Sequence, residues 1–164
     1  MANVSYRLGS PACRKHYSHL AVSRLSRGGE VVSENVYWRG LEDANFTQLR
    51  DLPNVTLGAD TTVTETPDGY RLETTLVNES ASPALMVRLK AVRAASGDRI
   101  LPVLYSDNYV FLMPGERRSV TTEVRREDAR GERPAIVVEG FNVGEVRTAG
   151  AAPASSSRSC CSGS

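Results

Sequence analysis

Lysine, histidine and cysteine are nearly absent from this 164-residue chain, and each scarcity removes a class of chemistry. Lys15 and Lys90 are the two lysines, so eighteen of the 20 basic residues are arginine. With a net charge of +1, that arginine excess reads as the base composition of the gene, and neither nucleic acid nor an anionic membrane is an expected partner. Of three cysteines, Cys13 sits near the N-terminus and Cys160 and Cys161 near the C-terminus, which makes no disulfide framework across a core. His16 and His19 are the only histidines. With Cys13 they would be three ligands on a Gly/Pro-containing stretch that lacks a rigid scaffold, so no metal site and no cofactor are expected. No run of eighteen apolar residues exists to span a bilayer. Met1 to Lys15 also lacks the apolar core of a signal peptide, so the chain as written is not expected to be exported. The length excludes a (β/α)₈ barrel, which takes about 250 residues.

What is present is a period of two. Tyr70, Leu72, Thr74 and Leu76 alternate with Arg71, Glu73 and Thr75; Leu85, Val87, Leu89 and Ala91 alternate with Met86, Arg88, Lys90 and Val92. Val120, Thr122 and Val124 alternate with Thr121, Glu123 and Arg125. These spacings predict half-buried antiparallel strands. Leu57 to Thr66 is rich in Thr and Val, and Pro67-Asp68-Gly69 predicts a hairpin into the Tyr70 strand. Ala135 to Phe141 is apolar nearly throughout, as in a strand covered on both faces. One short helix is expected over Ala44 to Arg50 after an Asp43 cap, with Phe46 and Leu49 inward. About seven short strands with one short helix predict an all-β, immunoglobulin-like antiparallel sandwich without the inter-sheet disulfide. Its expected limits are 19–145. Residues 1–18 read as a tail, and 146–164, made of small and polar residues, as a disordered low-complexity tail.

Nucleophile and phosphate motifs are missing: no Gly-x-Ser-x-Gly run, no phosphate loop and no dinucleotide fingerprint. Arg117-Arg118, Arg125-Arg126, Arg130 and Arg133 are interleaved with Glu116, Glu123, Glu127, Asp128 and Glu132, the pattern of a solvated face. Tyr105-Ser-Asp-Asn-Tyr109 is the one dense polar and aromatic cluster. Asp107 and Asn108 suit a turn, and Tyr105 and Tyr109 can bury ring area with the hydroxyl wet. A sugar-facing loop is the functional reading of that cluster, a structural turn the stronger one. Trp38, the single tryptophan, is expected to pack in the core or between domains. Four sequons begin at Asn3, Asn45, Asn54 and Asn78; they matter only in a secretory compartment.

Arg99-Ile-Leu-Pro-Val-Leu-Tyr-Ser-Asp-Asn-Tyr-Val-Phe-Leu-Met-Pro-Gly-Glu116 resembles the last domain of family 2 glycoside hydrolases of the exo-β-D-glucosaminidase and mannosylglycoprotein endo-β-mannosidase type. Ser33-Glu-Asn-Val-Tyr-Trp38, Leu49-Arg-Asp-Leu-Pro53, Leu76-Val-Asn-Glu-Ser-Ala-Ser-Pro-Ala84 and Val138-Glu-Gly-Phe-Asn142 resemble further segments of that domain, in the same order. The resemblance runs from about residue 19 to 143 and leaves both ends unmatched.

It implies an Ig-like domain of a parent that hydrolyses β-linked glucosaminides or mannosides in carbohydrate metabolism, in vacuolar or secreted families. The parent's two carboxylates would lie on a catalytic barrel that this chain lacks, so the chain is expected to be a fragment with no catalytic residue of its own. Asn78-Glu79 imitates the Asn-Glu pair in which these hydrolases place their acid/base, yet it matches a strand-end segment of the Ig-like domain. The implied partner is the missing barrel, with carbohydrate as a second. Trp38, Tyr105, Asp107, Asn108 and Tyr109 are the candidate sugar-facing or inter-domain residues. The competing expectation is a free-standing carbohydrate-binding or adhesion module, which an exposed aromatic strip would favour.

Overall fold

The computed structural model describes residues 2–8, 18–27, 30–40 and 46–148. The first strands, β1 (Ala2–Leu8), β2 (Ser18–Arg27) and β3 (Glu30–Gly40), form an antiparallel sheet in that order. A 3-10 turn over Phe46–Asp51 follows. The sandwich is built from β4 (Gly58–Thr66), β5 (Gly69–Val77), β6 (Ala84–Arg93), β7 (Leu104–Tyr105), β8 (Val110–Leu112) and β9 (Arg117–Arg125). A four-residue helix, α1 (Arg126–Ala129), then leads to β10 (Pro134–Glu139) and β11 (Val146–Thr148). One sheet runs β4-β5-β9-β7 and the other β11-β10-β6-β8, and every pairing between these strands is antiparallel. The immunoglobulin-like sandwich predicted from the two-residue period is therefore the fold.

The alternation decides which side chains meet. Leu72, Leu76, Val87, Leu89, Ile100, Leu112, Val120, Val124, Ile136 and Val138 belong to one buried cluster between the sheets. Fully burying a Leu or Val is worth about 1.5–3 kcal/mol, so this cluster is the main source of cohesion. At one edge the sheets meet through hydroxyls instead. Thr61 on β4 lies 3.0 Å from the Thr74 hydroxyl on β5 and 2.7 Å from that of Thr148 on β11, and Thr148 also donates to the Ile136 carbonyl at 3.2 Å. The hydroxyls of Thr61, Thr74 and Thr148 are thereby satisfied, as burial requires. The β4–β5 hairpin closes through Pro67-Asp68, and a Cβ on Gly69 would lie 2.1 Å from the Val124 carbonyl oxygen, so only glycine fits there.

Several details differ from the expectations. The stretch expected to be a tail, 1–18, contains β1, paired with β2 from Ala2↔Arg24 to Leu8↔Ser18. Val4, Tyr6 and Leu8 alternate with polar residues, a short period-two signal. The expected end at 145 is passed by β11, too short to show a period. Residues 149–164 lie outside the described residues, as do Cys13, His16 and Asn45. Of the expected helix 44–50, the described part is the 3-10 turn, in which Leu49 is half-buried but Phe46 is exposed. Register also shifts between Ala84 and Val87, so Leu85 does not share the face of Val87 and Leu89. It packs instead with Val22 and Met113, and Val36, Leu49, Leu52 and Phe111 close over that second cluster.

That bulge is held by one amide. The buried Asn142 side chain accepts from the Leu85 N–H at 3.0 Å and donates to the carbonyls of Pro53 at 3.1 Å and Pro83 at 2.9 Å. Asn142→Ala would strand these three backbone groups, and the expected loss is about 3 kcal/mol. Asn54→Ala, at an exposed position, should change stability by less than about 0.5 kcal/mol. Urea unfolding followed by circular dichroism reads both; equal, small shifts would remove Asn142 from this bracing role.

Candidate functional site

The five residues singled out in the sequence do not converge. Tyr105 turns inward: its hydroxyl accepts the Ala91 N–H at 2.9 Å, and burial raises its pKa above the ordinary tyrosine value. Asn108 is spent on β6, with Oδ1 accepting from the Leu89 N–H at 2.9 Å and Nδ2 donating to the Leu89 carbonyl at 3.1 Å. Asp107 accepts from the Asn108 N–H at 2.8 Å and faces Arg118 at 3.4 Å. Arg118 reaches Glu34 on β3 at 2.6 Å with its other terminal nitrogen, which ties the N-terminal sheet to the sandwich. Trp38 stands elsewhere, edge-on to Phe46 at 6.0 Å and to Phe111 at 6.1 Å between ring centroids. It remains 38% exposed and caps the second cluster, so of the two expected placements, in the core or between domains, the fully buried one is not adopted. Tyr109 alone of the loop tyrosines projects outward.

Asn78-Glu79 is likewise structural. Asn78 Nδ2 donates to the carbonyls of Ser82 and Leu112, each at 2.9 Å, while Oδ1 accepts from the N–H and hydroxyl of Ser80 at 3.1 and 2.7 Å. All four positions of the amide are used, so it has nothing left to offer a substrate or a glycosyl transfer. Glu79 points to solvent beside it. Among the described residues, no group of three His, Cys, Asp or Glu could hold a metal ion.

A groove of about 440 Å³ opens on the outer side of β6, lined by Met86, Arg88, Tyr109, Glu139, Gly140, Phe141, Val143 and Glu145. Met86, Tyr109 and Phe141 stand 48, 53 and 55% exposed on its walls. Met86 at φ 51° and Tyr109 at φ 57° occupy the left-handed region, which costs a non-glycine residue about 1–3 kcal/mol. A Cβ on Gly140 would lie 2.9 Å from the Leu85 carbonyl oxygen, so the turn into Phe141 needs glycine. Arg88 donates to the Tyr109 hydroxyl at 3.4 Å, lies 6.0 Å from its ring centroid and pairs with Glu139. Lys90 binds Glu139 at 2.6 Å and faces Glu145 at 3.7 Å. Hydrogen bonds from Lys90, and then from Arg88, hold the Glu139 carboxyl below the ordinary glutamate value despite opposing desolvation. Sequence reasoning did not assemble this groove. Its available signal was charge at the outward positions of β6, Arg88 and Lys90, opposite the one acid on the apolar β10.

Residues 35–143 match the family model described as the exo-β-D-glucosaminidase Ig-fold domain. The chain is 32% identical over 137 residues to the exo-β-D-glucosaminidase of Amycolatopsis orientalis, covering 71% of this chain and 13% of that protein. To the exo-β-D-glucosaminidase of Hypocrea virens it is 31% identical over 137 residues, covering 70% of this chain and 15% of the relative. Among solved structures, the exo-chitosanase CsxA of Amycolatopsis orientalis superposes with a TM-score of 0.68 at 30% identity, over 80% of this chain and 18% of that one.

The Glu139 cluster sets a pH dependence with a definite sign. A carboxyl whose pKa is lower in the folded chain contributes stability above its unfolded value, about 4.3, and loses it as pH falls through the depressed folded value. Glu139→Gln should therefore flatten the acid side of the stability profile below about pH 4.3 while leaving its shape at pH 6–8 unchanged. Urea midpoints across that range measure it; an unchanged acid limb would show that the cluster adds nothing to folding.

Proposed function

Because the chain belongs to the exo-β-D-glucosaminidase Ig-fold domain family, we propose that it is the non-catalytic accessory domain of a glycoside hydrolase whose catalytic part cleaves β-linked glucosaminides. It spans about one seventh of the length of the curated relatives it matches, 13% in one and 15% in another. The observation that carries the reading is the fate of Asn78-Glu79. Glycoside hydrolysis takes two carboxyl groups flanking one bond, about 5–5.5 Å apart for retention or about 6.5–9.5 Å for inversion. Glu79 is exposed at a strand end, and the asparagine before it is wholly engaged in holding the Ser80–Ser82 turn to β8.

The partner in this reading is the catalytic barrel of the parent. Exposed Tyr37, Trp38 and Phe46 near the N-terminal sheet support packing against it, since inter-domain contacts are built on apolar side chains that an isolated domain leaves wet. The choice between β-glucosaminides and β-mannosides rests on the relatives, which are named for the former.

The purified chain is expected to release no chromophore from aryl β-glucosaminide, β-mannoside or β-galactoside. Continuous absorbance assays at high protein concentration test this. Turnover that disappears in Glu79→Gln would overturn the non-catalytic assignment.

A further inference from the structure

We propose that the groove between Met86, Tyr109 and Phe141 is a saccharide-binding site that seats a pyranose ring of a β-linked glycan. The class of glycan rests on the function proposed above; the site itself rests on its construction. Each ring stands on a segment pinned by an asparagine amide. Asn108 holds the backbone before Tyr109 to Leu89, and the buried Asn142 holds the backbone after Phe141 to Leu85. The exposed rings are thus presented by a fixed backbone, and binding need not first order a loop.

Three special backbone positions converge there. Met86 and Tyr109 keep positive φ angles although neither is glycine, and Gly140 allows a close approach that a Cβ would block. The side chains so placed are not core: all three apolar ones are about half exposed. Strain maintained to project exposed apolar side chains points to a ligand.

The lining selects the ligand's chemistry. Tyr109 and Phe141 offer flat apolar faces, as the C–H face of a pyranose requires, while Arg88, Glu139 and Glu145 supply donors and acceptors for hydroxyls. Lys90, outside the lining, pairs with both of these carboxylates, so with Arg88 the cluster is charge-balanced, neither a polyanion nor a polycation is preferred, and a neutral or singly charged polyhydroxyl ligand fits. About 440 Å³ lies within the range of small-ligand sites, whereas three apolar side chains are few for a protein interface of roughly 800 Å² per partner.

The test titrates the intact chain with cellobiose and, separately, with the β-linked glucosamine disaccharide, following backbone amide shifts by NMR. Expected are saturable shifts at residues 86–90, 109 and 139–145. Tyr109→Asn removes the ring but tolerates the left-handed backbone, and Phe141→Ser removes the other wall; each should weaken binding by about tenfold or more at an unchanged unfolding midpoint. Trp38→Ala should leave the affinity unchanged. The proposal is overturned if neither disaccharide gives saturable shifts, or if binding survives both wall variants. It is also overturned if Phe141→Ser abolishes self-association in sedimentation of a chain that binds no sugar, which would make the groove a protein contact. Hydrolysis in the chromogenic assay would sink the accessory-domain reading without touching these shifts, so the two ideas fail separately.

Discussion

Asparagine amides bonded to the backbone are the constraint on which the irregular half of this sandwich depends. Strands satisfy their own backbone, but the connections between β5 and β6, between β7 and β8, and after β10 cannot, and they lie against the core. Asn78, Asn108 and Asn142 each present two donors and an acceptor oxygen at one of these places, and each amide is used on both its nitrogen and its oxygen. An amide is suited to this because it donates and accepts without carrying charge into a low-dielectric interior, where an unpaired ion would cost far more. Asn142 ties its own segment to two others, at Pro53 and at Pro83–Leu85.

This use of asparagine explains why the functional-looking motifs are structural and the functional-looking surface is not a motif. In Asn78-Glu79 the amide is consumed by the turn it shapes, and in Tyr105-Ser-Asp-Asn-Tyr109 the loop closes on β6 through Asn108 and the Tyr105 hydroxyl. What those closures leave outside is a consequence of them. With Asn108 locked to Leu89, Tyr109 has to leave the loop at positive φ and face Arg88; with Asn142 locked to Leu85, Phe141 turns out beside Met86. The exposed rings are the outer ends of two asparagine anchors, Asn108 half-buried and Asn142 buried.

The strands were legible because burial on one face writes a period of two into the chain. Leu72, Thr74 and Leu76 on β5, and Val120, Thr122 and Val124 on β9, are buried as their alternation predicts. Leu85 was not, because a bulge shifts register by one and sends an apolar residue to the opposite face without altering composition. Phe46 was misplaced inward since apolarity alone does not distinguish a residue under a sheet from one standing edge-on to Trp38. The helix α1 escaped notice as well: four residues are too few for a helical period, and its αL cap falls on Arg130 where glycine is usual. The groove was least legible of all. Its walls come from residues 86–88, 109 and 139–145, brought together only by the pairing of β6 with β8 and β10.

Placement also gives the arginines a role that abundance does not explain. Arg118 spans Glu34 and Asp107; Arg88 spans the Tyr109 hydroxyl and Glu139. Arg147 donates to the carbonyls of Arg93 and Ala94, while Arg93 donates to the Asp128 carbonyl and pairs with Asp98. Arg126 reaches the Thr66 carbonyl and lies 5.5 Å over the Tyr70 ring. Each guanidinium holds two partners, and those of Arg118, Arg88 and Arg93 lie on different segments, which its planar set of five donors allows and a single ammonium does less well. The bridging accounts for where these arginines sit. Lys90, the one lysine in the sandwich, marks the contrast: it lies between two carboxylates, Glu139 and Glu145, where a compact point charge with rotatable donors suffices. Arginine to lysine at position 118 would keep the charge and lose the bridge, releasing either the N-terminal sheet or the loop that positions Tyr109.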